Sequence, residues 1–107
     1  MVIDTSAVVA ILFTEPTAAR MAYAIEGAAR RRLSAASRGE LTLVVEGRRG
    51  ASGRADLELF LATAGIEVVA VTPDQAELAC EAFRRFGKGN HPAAFNFGDC
   101  FAYALAK

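Results

Sequence analysis

An α/β domain built on a parallel sheet is the fold class that the sequence predicts, and three observations predict it. Short β-rich runs alternate with longer helical ones. Of the 107 residues, 53% are hydrophobic and 22% charged, which suits one globular core and excludes a disordered chain. No Gly/Ser, Pro or acidic tract interrupts the pattern. The length leaves room for a single domain over 1–107, with one core to carry it.

Val2 and Ile3 open as a very short strand. Ser6 to Phe13 reads as a helix capped by Thr5 or Ser6, and Glu15-Pro16 breaks it before an Ala-rich helix from Thr17 to Glu26. Arg30 to Ser34 returns the chain as a second strand. A third helix is expected over Ala35 to Arg49, the clearest turn over Gly50 to Gly53, and a fourth helix over Ala55 to Ala64 with Leu57, Phe60, Leu61 and Ala64 on one stripe. Ile66 to Val71, entered through Gly65 and closed by Thr72-Pro73, is the best strand and reads as central and buried. Thr72 or Asp74 caps a fifth helix carrying Ala76, Ala79, Cys80 and Phe83, which Gly87 ends. Beyond the polar loop Gly87 to Pro92, a last helix runs from Phe97 to Lys107.

Twelve Lys and Arg balance twelve Asp and Glu. Zero formal charge excludes nucleic-acid binding by bulk electrostatics and leaves only local Arg patches. The longest apolar stretch, Ser6 to Phe13, falls far short of the ~18 residues that span a bilayer. The start Met-Val-Ile-Asp lacks the basic and apolar regions of a secretory signal, so a cytoplasmic location is expected. Cys80 and Cys100 have no CxxC spacing and read as buried free thiols.

Three acids carry the chemistry. Asp4 directly follows the first strand, at the carboxyl end where parallel α/β sheets place ligand crevices, although a turn or cap residue would also sit there. Glu40 shares a helical stripe with Ala36, Leu43, Val44 and Gly47, so it points inward, opposite a solvated face of Arg38, Thr42, Glu46 and Arg49. An inward carboxylate must be paired, neutral or metal-bound. Asp99 shares a stripe with Ala102, Tyr103 and Ala106; as the third residue after Asn96 it also fits a capping box. An oxygen-only cluster of this kind suits a hard divalent cation.

With these residues in hand, the chain resembles the PIN-domain family, and specifically the VapC toxins of VapBC toxin–antitoxin pairs, over all 107 residues. The opening Met-Val-Ile-Asp-Thr-Ser-Ala is similar to the family's first-strand motif, Glu40 falls where its helix carries a glutamate, and Gly87 to Tyr103 looks like the signature of one VapC subgroup. The resemblance implies a PIN-like three-layer α/β/α domain with a short parallel central sheet, here lacking the family's final strand and its further acids. It implies a Mg²⁺- or Mn²⁺-dependent endoribonuclease neutralised by a VapB-type antitoxin, with Asp4, Glu40 and Asp99 as metal ligands. In that mechanism an activated water attacks the phosphodiester in line, with no nucleophilic side chain. Thr5 and Ser6 are candidates for orienting water or phosphate, and Lys88, His91, Arg84 and Arg85 for contacting RNA. The alternative is a catalytically weak protein-binding module, taking an antitoxin or a second copy as a homodimer. It rests on the first helix, where Val8, Val9, Ile11, Leu12 and Phe13 are apolar almost all round.

Overall fold

Backbone pairing around Arg32 organises the chain. The computed structural model describes residues 1–87, 89 and 91–107. Its elements are α1 (Thr5–Leu12), α2 (Ala18–Glu26), β1 (Arg32–Ser34), α3 (Ala35–Thr63), β2 (Glu67–Val69), α4 (Pro73–Phe86) and α5 (Phe97–Ala106). β1 pairs in parallel with β2, Leu33 lying opposite Val68. On its other side β1 meets the N-terminal segment through a parallel bridge between Val2 and Arg32. The expected first strand is therefore a single bridge, because helix α1 starts two residues after Ile3.

β1 is the buried strand, with Leu33 and Ser34 fully enclosed. β2 is not the buried strand that its composition suggests: Glu67 and Val68 are exposed, since among the described residues β2 pairs with β1 alone and is an edge. Arg31 fastens β1 to its surroundings. Its guanidinium donates to the carbonyls of Ala64 at 2.6 Å, Glu26 at 2.9 Å and Ala28 at 3.2 Å, capping the ends of α3 and α2 with positive charge.

Ser34 begins α3 by accepting from the Ala36 N–H at 3.3 Å. Only Gly50, at φ 60° and ψ −144°, leaves helical geometry, so the expected Gly50–Gly53 turn shrinks to one residue that glycine alone adopts without strain. The halves fold back along each other, as the ion pairs Arg54–Glu46 (2.9 Å) and Arg38–Glu58 require. Both halves face the same core, which joins Ile3, Val8, Ile25, Leu33, Leu41, Val45, Leu57 and Leu61. The inward face of α3 is therefore Ser37, Leu41 and Val45, one position away from the expected stripe. Leu43 is 75% exposed and Gly47 is exposed, whereas Ala36, Glu40 and Val44 flank the buried face. Arg38, Thr42 and Glu46 are half-buried by the returning half of the same helix, not fully solvated.

Small residues build a second cluster, Ala79, Ala82, Cys100 and Ala104, between α4 and α5. α4 turns its alanines toward α5, which leaves Cys80 and Phe83 exposed, so only Cys100 is a buried thiol, and both cysteines are free. Val9, Ile11, Leu12 and Phe13 pack on the main core beside the buried Val8. That packing half-buries the face on which the binding-module alternative relied. No described helix is long and apolar enough to cross a membrane.

The phase of α3 is open to a direct test. Leu41→Ala, at a fully buried site, is expected to lose about 2–5 kcal/mol in urea denaturation. Leu43→Ala is expected to stay within about 0.5 kcal/mol of wild type. The reverse order would return the inward face to the Glu40–Leu43 stripe.

Candidate functional site

Three helix starts bring the acids together. Asp4 occupies the N-cap position of α1 in extended geometry, φ −89° and ψ 146°, yet its carboxylate makes no capping bond. Oδ2 instead accepts from the Ser6 hydroxyl at 2.6 Å. Asp99 lies in the first turn of α5, where Asn96 is the cap. The Asn96 N–H donates to Asp99 Oδ2 at 2.9 Å and the Asp99 N–H to Asn96 Oδ1 at 3.0 Å, a complete capping box. The capping role and a place in the cleft hold together, because Oδ1 of Asp99 makes no hydrogen bond among the described residues.

Glu40 lies in the second turn of α3, half-buried, and makes no ion pair or hydrogen bond among the described residues. The buried ion pair that would have explained it is absent there. Its carboxylate lies over Gly98, where a side chain would collide with it: a Cβ on Gly98 would fall against Glu40 Oε1 and 3.1 Å from Thr5 Oγ1. Thr5 Oγ1 is itself buried without a partner, an uncommon state for a hydroxyl.

These groups line a cleft of about 270 Å³ with Val9, Val44, Glu15, Arg48 and Asn96. Asp4, Glu40 and Asp99 share it, but among the described residues no three acidic, His or Cys side chains close on a common point as a metal-ion group. The cleft's four carboxylates, Asp4, Glu15, Glu40 and Asp99, face one guanidinium, Arg48. A larger groove of about 460 Å³ runs between α4 and α5, lined by Ala79, Cys80, Phe83, Arg84, Phe97, Cys100 and Phe101. Convergent polar groups make the smaller cleft the candidate site. In the larger one, burial, then the charge of Asp99, then Cys80 push the Cys100 thiol above its ordinary value, so it stays protonated.

Thr5 and Ser6 reach the cleft as expected. Of the other proposed contacts, the described Arg84, Arg85 and His91 do not line it. Arg84 borders the apolar groove, and Arg85 stacks on Phe86 with its Cζ 5.0 Å from the ring centroid. His91 stands edge-on to the same ring at 5.3 Å, its Nδ1 accepting from the Ala93 N–H at 2.9 Å. Lys88 lies outside the described residues. Sequence reasoning missed Arg48 and Glu15. The spacing Glu40, Val44, Arg48 puts all three on neighbouring turns of one helix, a signal that was legible. Glu15 follows Thr14, at φ 52°, and no periodicity marks where such a bend sends a side chain.

The PIN-domain model matches residues 1–107. The chain belongs to the PIN-domain family. This PIN domain is 50% identical over 107 residues to ribonuclease VapC30 of Mycobacterium tuberculosis, an alignment covering 100% of the chain and 82% of that protein. It is equally similar, at 50%, to ribonuclease VapC of Mycolicibacterium smegmatis, of which it covers 83%. Ribonuclease VapC28 of Mycobacterium tuberculosis is 46% identical, with 99% of the chain and 80% of that protein aligned.

Gly98 supplies a prediction about this PIN domain. In Gly98→Ala the added methyl meets the mobile end of Glu40, which swings away, while alanine favours the helix by up to ~1 kcal/mol. Thermal stability is therefore expected to hold while a crystal structure of the variant finds the Glu40 carboxylate displaced from Thr5. A Glu40 carboxylate that keeps its place in Gly98→Ala would show that the notch does not position it.

Proposed function

We propose that this PIN domain is a divalent-metal-dependent endoribonuclease of the VapC toxin type, neutralised by a VapB-type antitoxin. One observation carries the reading: Asp4, Glu40 and Asp99, from three separate elements, line one cleft beside the unpartnered Thr5 hydroxyl. The relatives named as VapC ribonucleases support the same chemistry.

The donors fit a hard cation. They are carboxylate and hydroxyl oxygens, without thiol or imidazole, in a cleft roomy enough for the waters that Mg²⁺ or Mn²⁺ retains. A bound cation of this kind would polarise a phosphodiester and make water a nucleophile at neutral pH. The protein's part is to hold and orient. Ser6, by donating to Asp4, fixes one carboxylate; the capping box fixes Asp99; Gly98 leaves room for Glu40. Thr5 lines the same cleft, its hydroxyl buried beside Gly98 and close to Glu40. Neither Cys100, in the apolar groove, nor His91, on Phe86, lines the cleft, which leaves an activated water as the proposed attacking group. RNA contacts by Arg84, Arg85 and His91 then belong to strand outside the cleft.

A protein-binding role stands beside catalysis on one observation. Phe97, 59% exposed, borders the apolar groove of α4 and α5, where an antitoxin or a second copy in a homodimer would bury apolar area.

Cleavage of single-stranded RNA is expected only with Mg²⁺ or Mn²⁺ and to leave 3′-hydroxyl ends. Asp4→Asn, Glu40→Gln and Asp99→Asn each keep side-chain shape, so circular dichroism should be unchanged while the rate falls at least ~100-fold, a loss of about 3 kcal/mol in transition-state stabilisation. Equal degradation by wild type and all three variants, or undiminished cutting in EDTA, would assign the activity elsewhere.

A further inference from the structure

We propose that Arg48 is the cleft's own contact for RNA, its guanidinium binding a phosphate that flanks the bond to be cut. The inference rests on the ribonuclease reading and deepens it. RNA is a polyanion, and the cleft offers it four carboxylates against this one cation. A bound metal ion would serve the reacting phosphate, but the neighbouring phosphates would still face negative charge unless the protein supplied a counter-charge.

Arg48 is free to supply it, unlike other arginines of the fold. Arg30, Arg38 and Arg54 are engaged by Glu67, Glu58 and Glu46. Arg31 is spent on backbone carbonyls, and Arg49 donates to the Leu12 carbonyl at 3.3 Å. Arg48 makes no ion pair or hydrogen bond among the described residues. Its contact is with Phe13, its Cζ 4.7 Å from the ring centroid, where Arg49 also sits at 4.4 Å. Stacking leaves the five N–H donors of the fork open while restricting its position. Two guanidiniums on one ring repel each other, and an anion bound between them and the cleft relieves that repulsion.

Position sets which phosphate it meets. Eight residues of helix separate Glu40 from Arg48, about 12 Å along the axis. Arg48 is exposed at the cleft's margin, whereas Glu40 is half-buried over Gly98. The guanidinium therefore reaches a phosphate beyond the one at the acids, and acts in substrate binding instead of bond cleavage.

The test separates binding from cutting. Affinity for a fluorescein-labelled single-stranded RNA is measured by anisotropy in EDTA across a salt series, and KM and kcat for its cleavage are measured with Mn²⁺. Arg48→Ala is expected to weaken binding about tenfold and to reduce the slope of log K against log salt by about 0.7, the value for one single-strand phosphate contact. In cleavage, KM should rise by a similar factor with kcat within about twofold, the signature of lost uniform binding. Arg48→Lys should restore the slope but only part of the affinity. Arg20→Ala, on the exposed face of α2 and away from the cleft, should match wild type, and melting curves confirm that every variant is folded. An unchanged slope and KM in Arg48→Ala would overturn the assignment. So would a fall in kcat at constant KM, which would show that Arg48 acts on the acids. A wild type that binds RNA with the Arg48-dependent slope but never cuts it would overturn the ribonuclease reading and leave the phosphate contact standing.

Discussion

Two backbone hydrogen bonds, Ile3 N–H to the Arg32 carbonyl at 2.7 Å and Arg32 N–H to the Met1 carbonyl at 2.9 Å, hold the N-terminal segment parallel to β1, and the place of the acids depends on them. Asp4 is the first residue beyond that pairing. Ser34, two residues past Arg32, caps α3, and Glu40 then lies six residues into the helix. One short stretch of backbone thus suspends two of the three acids. The third arrives with α5, which packs on both β1 and α3. Buried Leu33 and the Arg31 clamp on two helix ends keep this stretch from shifting.

Four carboxylates in one cleft against one guanidinium cost the native state some like-charge repulsion. Local bonds offset part of that cost. Asp4 is stabilised by the Ser6 hydroxyl, and Asp99 by backbone N–H at a helix start, where the dipole also favours an anion. Glu40 has neither and is held by shape alone, in the space that Gly98 leaves open. Among the described residues neither the Glu40 carboxylate nor the buried Thr5 hydroxyl beside it has a partner. The same division separates the two concave surfaces, one polar and oxygen-lined, the other aromatic and suited to protein contact.

Much of this was legible in the sequence, for identifiable reasons. The start and end of α4 and the start of α5 were, because Thr72, Gly87 and Asn96 act through local chemistry, whereas the first helix begins at Thr5 with Asp4 at its cap position, not Thr5 or Ser6. That Asp4, Glu40 and Asp99 line one cleft was legible in part, from Asp4 following the first extended residues and Asp99 opening a helix, although no three such side chains close on one point among the described residues. The phase of α3 was not. Ala36, Gly39, Leu43 and Gly47 blur the boundary between its faces, and the returning half after Gly50, which decides the matter, is a tertiary neighbour that no periodicity announces. β2 misled for a similar reason: Val68 and Val69 favour a strand, but only its pairing partners decide whether it is buried. Cys80 and Phe83 were placed inside because α4 is amphipathic, whereas the close approach of α5 selects the alanines.

The proposed ribonuclease needs a divalent cation in the cleft of Asp4, Glu40 and Asp99. Crystals soaked in MnCl₂ and measured at a wavelength where manganese scatters anomalously test it most directly. The account predicts an anomalous peak in this cleft, with oxygen ligands from at least two of the three acids, that disappears in Asp4→Asn. A peak elsewhere on the surface, or none at saturating Mn²⁺, would contradict it.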